Sequence, residues 1–231
     1  MRYVHQYHLN LRMLAAGRAI WISETGWPSD GIPRGAAVPS PENAADYFQR
    51  FTSWARAGAV PFFYFEAFDE AWKTNEGSVG THWGVWDSAA TLKPGMQAIF
   101  DNPVFPADWN AIIGGPGTPA IALTSLPPIG GGDTVAGTVS HVAPFDVFIS
   151  LYIRAGGQWW EKPYANQPFT AVSANGAWSI VFATGGTDLY ATEIAAYLFP
   201  TSYIPPHVLN ASSLPAELAT HALAHVSVTR Q

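Results

Sequence analysis

The chain has 231 residues, a formal net charge of −6, and 48% hydrophobic, 14% aromatic and only 12% charged side chains. That is enough apolar material for one or two packed domains, which excludes a disordered chain, and the acidic balance leaves nucleic acid and anionic membranes outside the expected partners. With no cysteine there is neither a disulfide framework nor a thiolate metal site.

The opening His5-Gln6-Tyr7-His8-Leu9-Asn10 is too polar for the apolar core of a signal peptide, so none is expected in this chain, and no apolar run is long enough to span a membrane. Val4, Tyr7, Leu11 and Leu14 recur at helical spacing up to Gly17 and predict a helix with that face inward. His5 and His8 share one side of it, but no third ligand type lies nearby in sequence. They read as a solvated or half-buried pair rather than a metal site.

Next comes Ile20-Trp21-Ile22-Ser23-Glu24-Thr25-Gly26-Trp27-Pro28-Ser29, an apolar run that meets an acid and then Gly and Pro. This predicts a buried strand that stops and turns at Glu24. A lone acid there can cap a following helix; at the tip of a parallel strand it can also meet substrate. Ser40 as N-cap, Pro41 as first residue, Ala44, Tyr47, Phe48, Phe51, Trp54 and Ala55 at three-to-four spacing, and Gly58 as stop predict a helix. A second strand, Val60 to Phe68, runs into Asp69-Glu70-Ala71-Trp72-Lys73-Thr74-Asn75-Glu76. Strand, helix, strand is a right-handed parallel unit. Its two acid-bearing tips open on one rim, where Glu24, Glu70, Lys73 and Glu76 can converge.

The segments Ile22 to Ser29, Phe65-Glu66-Ala67-Phe68-Asp69-Glu70-Ala71-Trp72-Lys73, and Glu76 to Trp86 followed by Leu92-Lys93-Pro94-Gly95 resemble glycoside hydrolase family 17, the β-1,3-glucanases, and its microbial branch more than its plant branch. The resemblance implies a (β/α)8 barrel with Glu24 as nucleophile at the end of the seventh strand. It also implies Glu70, Lys73 and Glu76 as a supporting network after the eighth, and Trp27, Glu66 and Trp83 as substrate contacts. Glu66 departs from the plant-type pattern and reads equally as a structural acid.

A retaining glycosidase needs an ionised nucleophile and a protonated partner about 5–5.5 Å away. Lys73 is assigned the role of keeping Glu24 ionised. The family's acid/base Glu, which follows an Asn on an earlier strand, has no counterpart before Glu24. A whole barrel takes about 250 residues, so residues 1–102 read as the C-terminal fragment of one, inactive alone and partnered by the missing N-terminal part. Carboxylates suffice for the chemistry, so no cofactor and no metal are expected. An extracellular or periplasmic setting is implied by the family.

After Phe100, Pro and Gly accumulate, and residues 103–119 read as a linker. Residues 120–231 predict an antiparallel β-sandwich of Ig-like type. Its strands are expected near Phe145–Arg154, Thr134–Ser140, Thr170–Ser173, Ala177–Ala183 and Ala224–Arg230, with Asp188–Leu198 read as strand over helix. Trp159-Trp160-Glu161-Lys162-Pro163 and Asn175-Gly176-Ala177-Trp178 resemble a C-terminal module of some microbial proteins. Trp159, Trp160 and Trp178 either stack on sugar rings or pack in the core. The expected function is therefore β-1,3-glucan hydrolysis by double displacement. The alternatives are transglycosylation, a non-catalytic polysaccharide-binding or wall-associated protein, and a purely structural module.

Overall fold

A computed structural model of the protein describes residues 1–101 and 109–231, so residues 103–108 of the expected linker lie outside the described residues. In chain order the elements are α1 (Arg2–Ala15), β1 (Ile22–Thr25), α2 (Pro41–Ala57), β2 (Phe62–Tyr64), α3 (Gln97–Asp101), β3 (Ala120–Ser125), β4 (Thr134–Ser140), β5 (Val147–Ala155), β6 (Gln158–Lys162), β7 (Phe169–Ala171), β8 (Ala177–Val181), β9 (Glu193–Pro200), α4 (Ala216–His221) and β10 (Ala224–Thr229). The class is mixed α and β. Contacts divide the chain into two compact units, Met1 with Ala19–Trp109, and Arg2–Arg18 with Asn110–Gln231. The helix expected to precede the first strand of a barrel fragment thus groups with the β-rich part.

The first unit has the expected strand, helix, strand order, but its strands are shorter than expected, Ile22–Thr25 and Phe62–Tyr64, and neither is buried along its length. β1 and β2 pair in parallel, and α2 lies between them in the chain. Ser40 Oγ accepts from Asn43 N at 3.1 Å and the Gly58 N–H returns to Trp54 O at 3.0 Å, closing the helix at both ends. The apolar face of α2 meets the strand through rings: Phe51 stands edge-on to Phe62 at 4.9 Å and Phe48 to Tyr64 at 4.8 Å. Residues 83–86 run beside 66–69, with Val85 N donating to Glu66 O and Trp86 N to Ala67 O, both at 2.9 Å. Trp21 and Phe63 stack at 6.1 Å and both are exposed.

In the second unit, β10-β9-β5-β6 form one antiparallel sheet, to which β7 adds through β5, and β3-β4-β8 form another. Both sheets contribute to one core: Val135 and Val139 from β4, Ile149, Leu151 and Ile153 from β5, Ile180 from β8, and Ile194 and Leu198 from β9. The other face of β5 is covered as well. Phe148 and Tyr152 pack with Leu9 of α1, Trp159, Phe169, Phe199, Val208 and Leu218 of α4. That is why a strand whose sequence alternates is buried on both faces. Asp188–Leu198 resolves into a 3-10 turn at Asp188–Tyr190 and then β9. Gly137 allows the Trp178 ring to close over β4, since a Cβ there would lie 2.4 Å from that ring and 2.2 Å from Ala122 O.

One expectation changes here, and one left open is narrowed. Tyr7, Leu11 and Leu14 of α1 are exposed, and the buried side carries His5, Leu9 and Asn10. The reason is hydrogen bonding. Strand β7 is bonded to β5 along one edge, and side chains of α1 meet its other edge. Asn10 Oδ1 accepts from Phe169 N at 3.1 Å and Gln6 Oε1 accepts from Ala171 N, which satisfies groups an open strand edge would leave unpaired. The tryptophans, for their part, are mostly core: Trp178 is 2% and Trp159 8% exposed, and Trp160 packs against the same cluster as Trp178. Trp159 and Trp178 therefore offer no flat surface for a sugar.

Burial pushes His5 down from 6.5 to about 3, with the charges of His8 and Arg12 adding to the effect, and His8 is lowered too, chiefly by its own burial. A folded-state value below the unfolded one means that the unfolded chain binds the extra proton between them. The stability gained from neutral His5 is complete above the unfolded value and is lost as pH falls toward 3. Urea unfolding at about pH 7.5 and about pH 4.5 should therefore show a lower midpoint in acid, and the His5→Gln chain should show a smaller drop. An equal drop in both chains would remove His5 from the account.

Candidate active site at the strand tips

Glu24 is the penultimate residue of strand β1 and is exposed. It makes no hydrogen bond or ion pair among the described residues. Next to it Thr25 Oγ1 meets Tyr47 OH at 2.5 Å, tying the tip to α2. Gly26 is required by close approach, because a Cβ there would stand 1.9 Å from the Phe65 carbonyl oxygen. The Gly that follows the acid in sequence thus lets the ends of β1 and β2 come together.

The acids after β2 are held differently. Lys73 is buried, its Nζ bonded to Glu66 Oε2 and lying 2.7 Å from Glu70 Oε2. The same ammonium lies 4.2 Å from the centre of the Phe65 ring and 5.4 Å from that of Trp72, a favourable cation–π placement. Burial pushes the Glu66 carboxyl above its usual range, against the pull of the ammonium. Its second oxygen is buried with no hydrogen-bond partner among the described residues, in keeping with that direction. Glu70 is held below the usual range by its hydrogen bond from Lys73. Lys73 is itself raised: burial works against its charge, and the two carboxylates more than offset it.

The expected convergence is therefore partial. Glu70 and Lys73 come together as expected, and Glu66 joins them. Glu76 is exposed in the 3-10 stretch Lys73–His82 and enters no ion pair among the described residues. The expectation that Lys73 keeps Glu24 ionised is corrected, because its ammonium is engaged by Glu66 and Glu70 and makes no ion pair with Glu24. Sequence spacing could place these groups on one rim but could not say which acid the lysine chooses.

One network was not anticipated. Lys93 Nζ donates to Ser29 Oγ and Asp69 Oδ1, both at 2.7 Å, and to His82 O at 3.2 Å, while Asp69 Oδ1 also accepts from Gly84 N at 2.8 Å. One ammonium thus fastens three loops of the rim. The signal in sequence was the lone Lys in Leu92-Lys93-Pro94, which pattern alone does not pair with anything. Beside the rim, Trp27 and Trp83 line a mostly apolar cavity of about 270 Å³ together with Ile32, Arg34 and Val79. Trp27 is fixed by its Nε1 bond to Val38 O at 3.0 Å. Glu66 does not line that cavity. No group of His, Asp and Glu able to hold a metal ion occurs among the described residues.

Removing the lysine leaves Glu66 buried without its cation. Lys73→Met should destabilise the first unit by on the order of 3 kcal/mol, and Lys73→Met with Glu66→Gln should recover a large part of the loss. Denaturant melts of the two variants measure this. A double variant no more stable than the single one would contradict the pairing.

Compared with known proteins, residues 1–84 match the BtgE/BtgC glycoside hydrolase domain family. The chain is 48% identical over 84 residues to a glucan 1,3-beta-glucosidase of Candida albicans, a stretch covering 35% of this chain and 27% of that protein. It is 40% identical over 83 residues to a glucan 1,3-beta-glucosidase of Saccharomyces cerevisiae, covering 35% of this chain and 26% of the relative. Among solved structures it is similar to a glycoside hydrolase family 17 beta-1,3-glucanosyltransferase from Rhizomucor miehei, at 35% identity over 37% of this chain and 31% of that one, with a TM-score of 0.34. The chain spans about a quarter of the length of the curated relatives it matches. Over its first 84 residues the chain is thus similar to BtgE/BtgC glycoside hydrolase domains.

Proposed function

We propose that residues 19–101 carry the last two strands of a (β/α)8 barrel, and that Glu24 is the nucleophile of a retaining double displacement on β-1,3-glucan. The observation that carries the reading is the contrast between the acids. Glu66 and Glu70 are tied to the buried ammonium of Lys73 and Asp69 to that of Lys93, whereas Glu24 is presented at a strand tip with its oxygens uncommitted among the described residues; Glu76, also unpaired there, lies beyond the strand in the stretch Lys73–His82. A carboxylate bound by a buried cation is a poor attacker; an exposed one at the C-terminal end of a parallel strand can reach an anomeric carbon. Trp27 and Trp83, in the adjoining cavity, supply rings on which sugar C–H faces can lie.

In this reading Glu66, Lys73 and Glu70 position the rim. The partner of the chain's first unit is the rest of the barrel, which supplies the proton donor. Hydrolysis and transglycosylation share the first displacement and differ in whether water or a sugar hydroxyl completes it. The substrate sets the compartment as outside the cell or at the wall. The two sheets of the β-rich unit read as an Ig-like sandwich.

A substrate with a leaving group that needs no proton separates nucleophile from acid. Incubation with a 2-deoxy-2-fluoro-β-laminaribiosyl fluoride should add one glycosyl mass to the chain, on Glu24, with fluoride released, and Glu24→Gln should show none. An adduct on Glu66 or Glu70 would contradict the assignment. No adduct in the chain combined with the preceding barrel strands would favour the non-catalytic, polysaccharide-binding reading.

A further inference from the structure

The β-rich unit contains a groove of about 370 Å³ that the reading of Glu24 does not use. One wall is the outward face of α1, where Tyr3 and Tyr7 stand one helical turn apart and are 75% and 58% exposed. The other wall is the loop after β6, where Tyr164 is 53% exposed. That loop is fixed by the bond from Gln167 N to Tyr164 O at 2.9 Å. Three rings this exposed contribute little to the core, and all three border the same depression.

Two polar side chains of the groove, Arg2 and Gln6, are held by hydrogen bonds. Arg2 Nη1 donates to Ser173 Oγ at 3.1 Å. The amide oxygen of Gln6 is taken by the edge of β7, which directs its nitrogen elsewhere. Gln167 adds a second amide. No Asp or Glu lines the groove and Arg2 is its one charged side chain, so it suits neither a cation nor a polyanion. Amides and a guanidinium beside exposed aromatic rings match vicinal hydroxyls between apolar C–H faces.

We infer that this groove is a carbohydrate-binding site, distinct from the strand-tip rim, that takes pyranose rings of a neutral oligosaccharide between Tyr3, Tyr7 and Tyr164. It does not depend on the assignment of Glu24.

The test titrates the full chain, as Glu24→Gln so that the ligand persists, with laminarihexaose, cellohexaose and mannohexaose in separate series, followed by amide NMR. At least one sugar should bind saturably, with shifts centred on Tyr3, Tyr7 and Gln167. Tyr7→Ala and Tyr164→Ala should each weaken binding about tenfold, the loss expected for one stacking ring. Gln167→Ala, which leaves every ring in place, should weaken it as well, and serves where a tyrosine variant fails to fold. Binding of none of the three sugars would overturn the inference. So would shifts confined to Trp27 and Trp83, or affinity retained in folded Tyr7→Ala, Tyr164→Ala and Gln167→Ala chains. Binding of a proline-rich peptide in this groove in place of every sugar would assign it to a protein partner and overturn it equally.

Discussion

A single ammonium group, Lys73 Nζ, stands between the carboxylates of Glu66 and Glu70, and the rim of the candidate site is arranged around it. Two negative charges near a buried surface repel, and one of them is largely desolvated. The lysine makes that arrangement tenable, and by doing so it is unavailable to any third acid. Glu24 and Glu76 are left without a cation among the described residues, and of the two Glu24 is the one carried at a strand tip. The same economy appears at Lys93, whose ammonium joins Ser29, Asp69 and the His82 carbonyl and so fixes the loops that frame the cavity of Trp27 and Trp83. Function at this rim, in our reading, comes from a strand-tip acid that is not engaged in holding the structure.

The β-rich unit shows a related use of polar groups. Strand β5 sits at the centre of its sheet with apolar residues on both faces, so the sheet needs cover on two sides. The three-stranded sheet covers one side; α1, α4 and the chain between β9 and β10 cover the other. Helix α1 is held there by Leu9 and by the Gln6 and Asn10 amides on the edge of β7. A helix bound by its polar face keeps an apolar one in solvent. That is how Tyr3 and Tyr7 come to border a groove instead of a core.

Much of this was legible in the sequence where local rules act alone. Ser40-Pro41 and Gly58 bound α2 as capping chemistry requires, and the parallel pairing of β1 with β2 follows from the helix between them. β4 appears over the expected residues, Thr134–Ser140. What was not legible depended on choices among long-range partners. Periodicity marked Tyr7, Leu11 and Leu14 as the inner face of α1 because it weighs apolarity and cannot see an open strand edge that asks for amides. It placed Lys73 near Glu24 because both lie on one rim, but the decision among three acids is made by ångströms. Trp178 was ambiguous until the absence of a side chain at Gly137 showed where its ring lies.

The central claim, that the charge of Lys73 belongs to Glu66 and Glu70, is tested most directly by NMR titration of the glutamate side-chain carboxyl carbons in the intact chain. The account predicts Glu66 titrating above the ordinary glutamate range and Glu70 below it, with both moving upward in Lys73→Met. Titrations of Glu66 and Glu70 that are the same with and without Lys73 would place the ammonium elsewhere and contradict it.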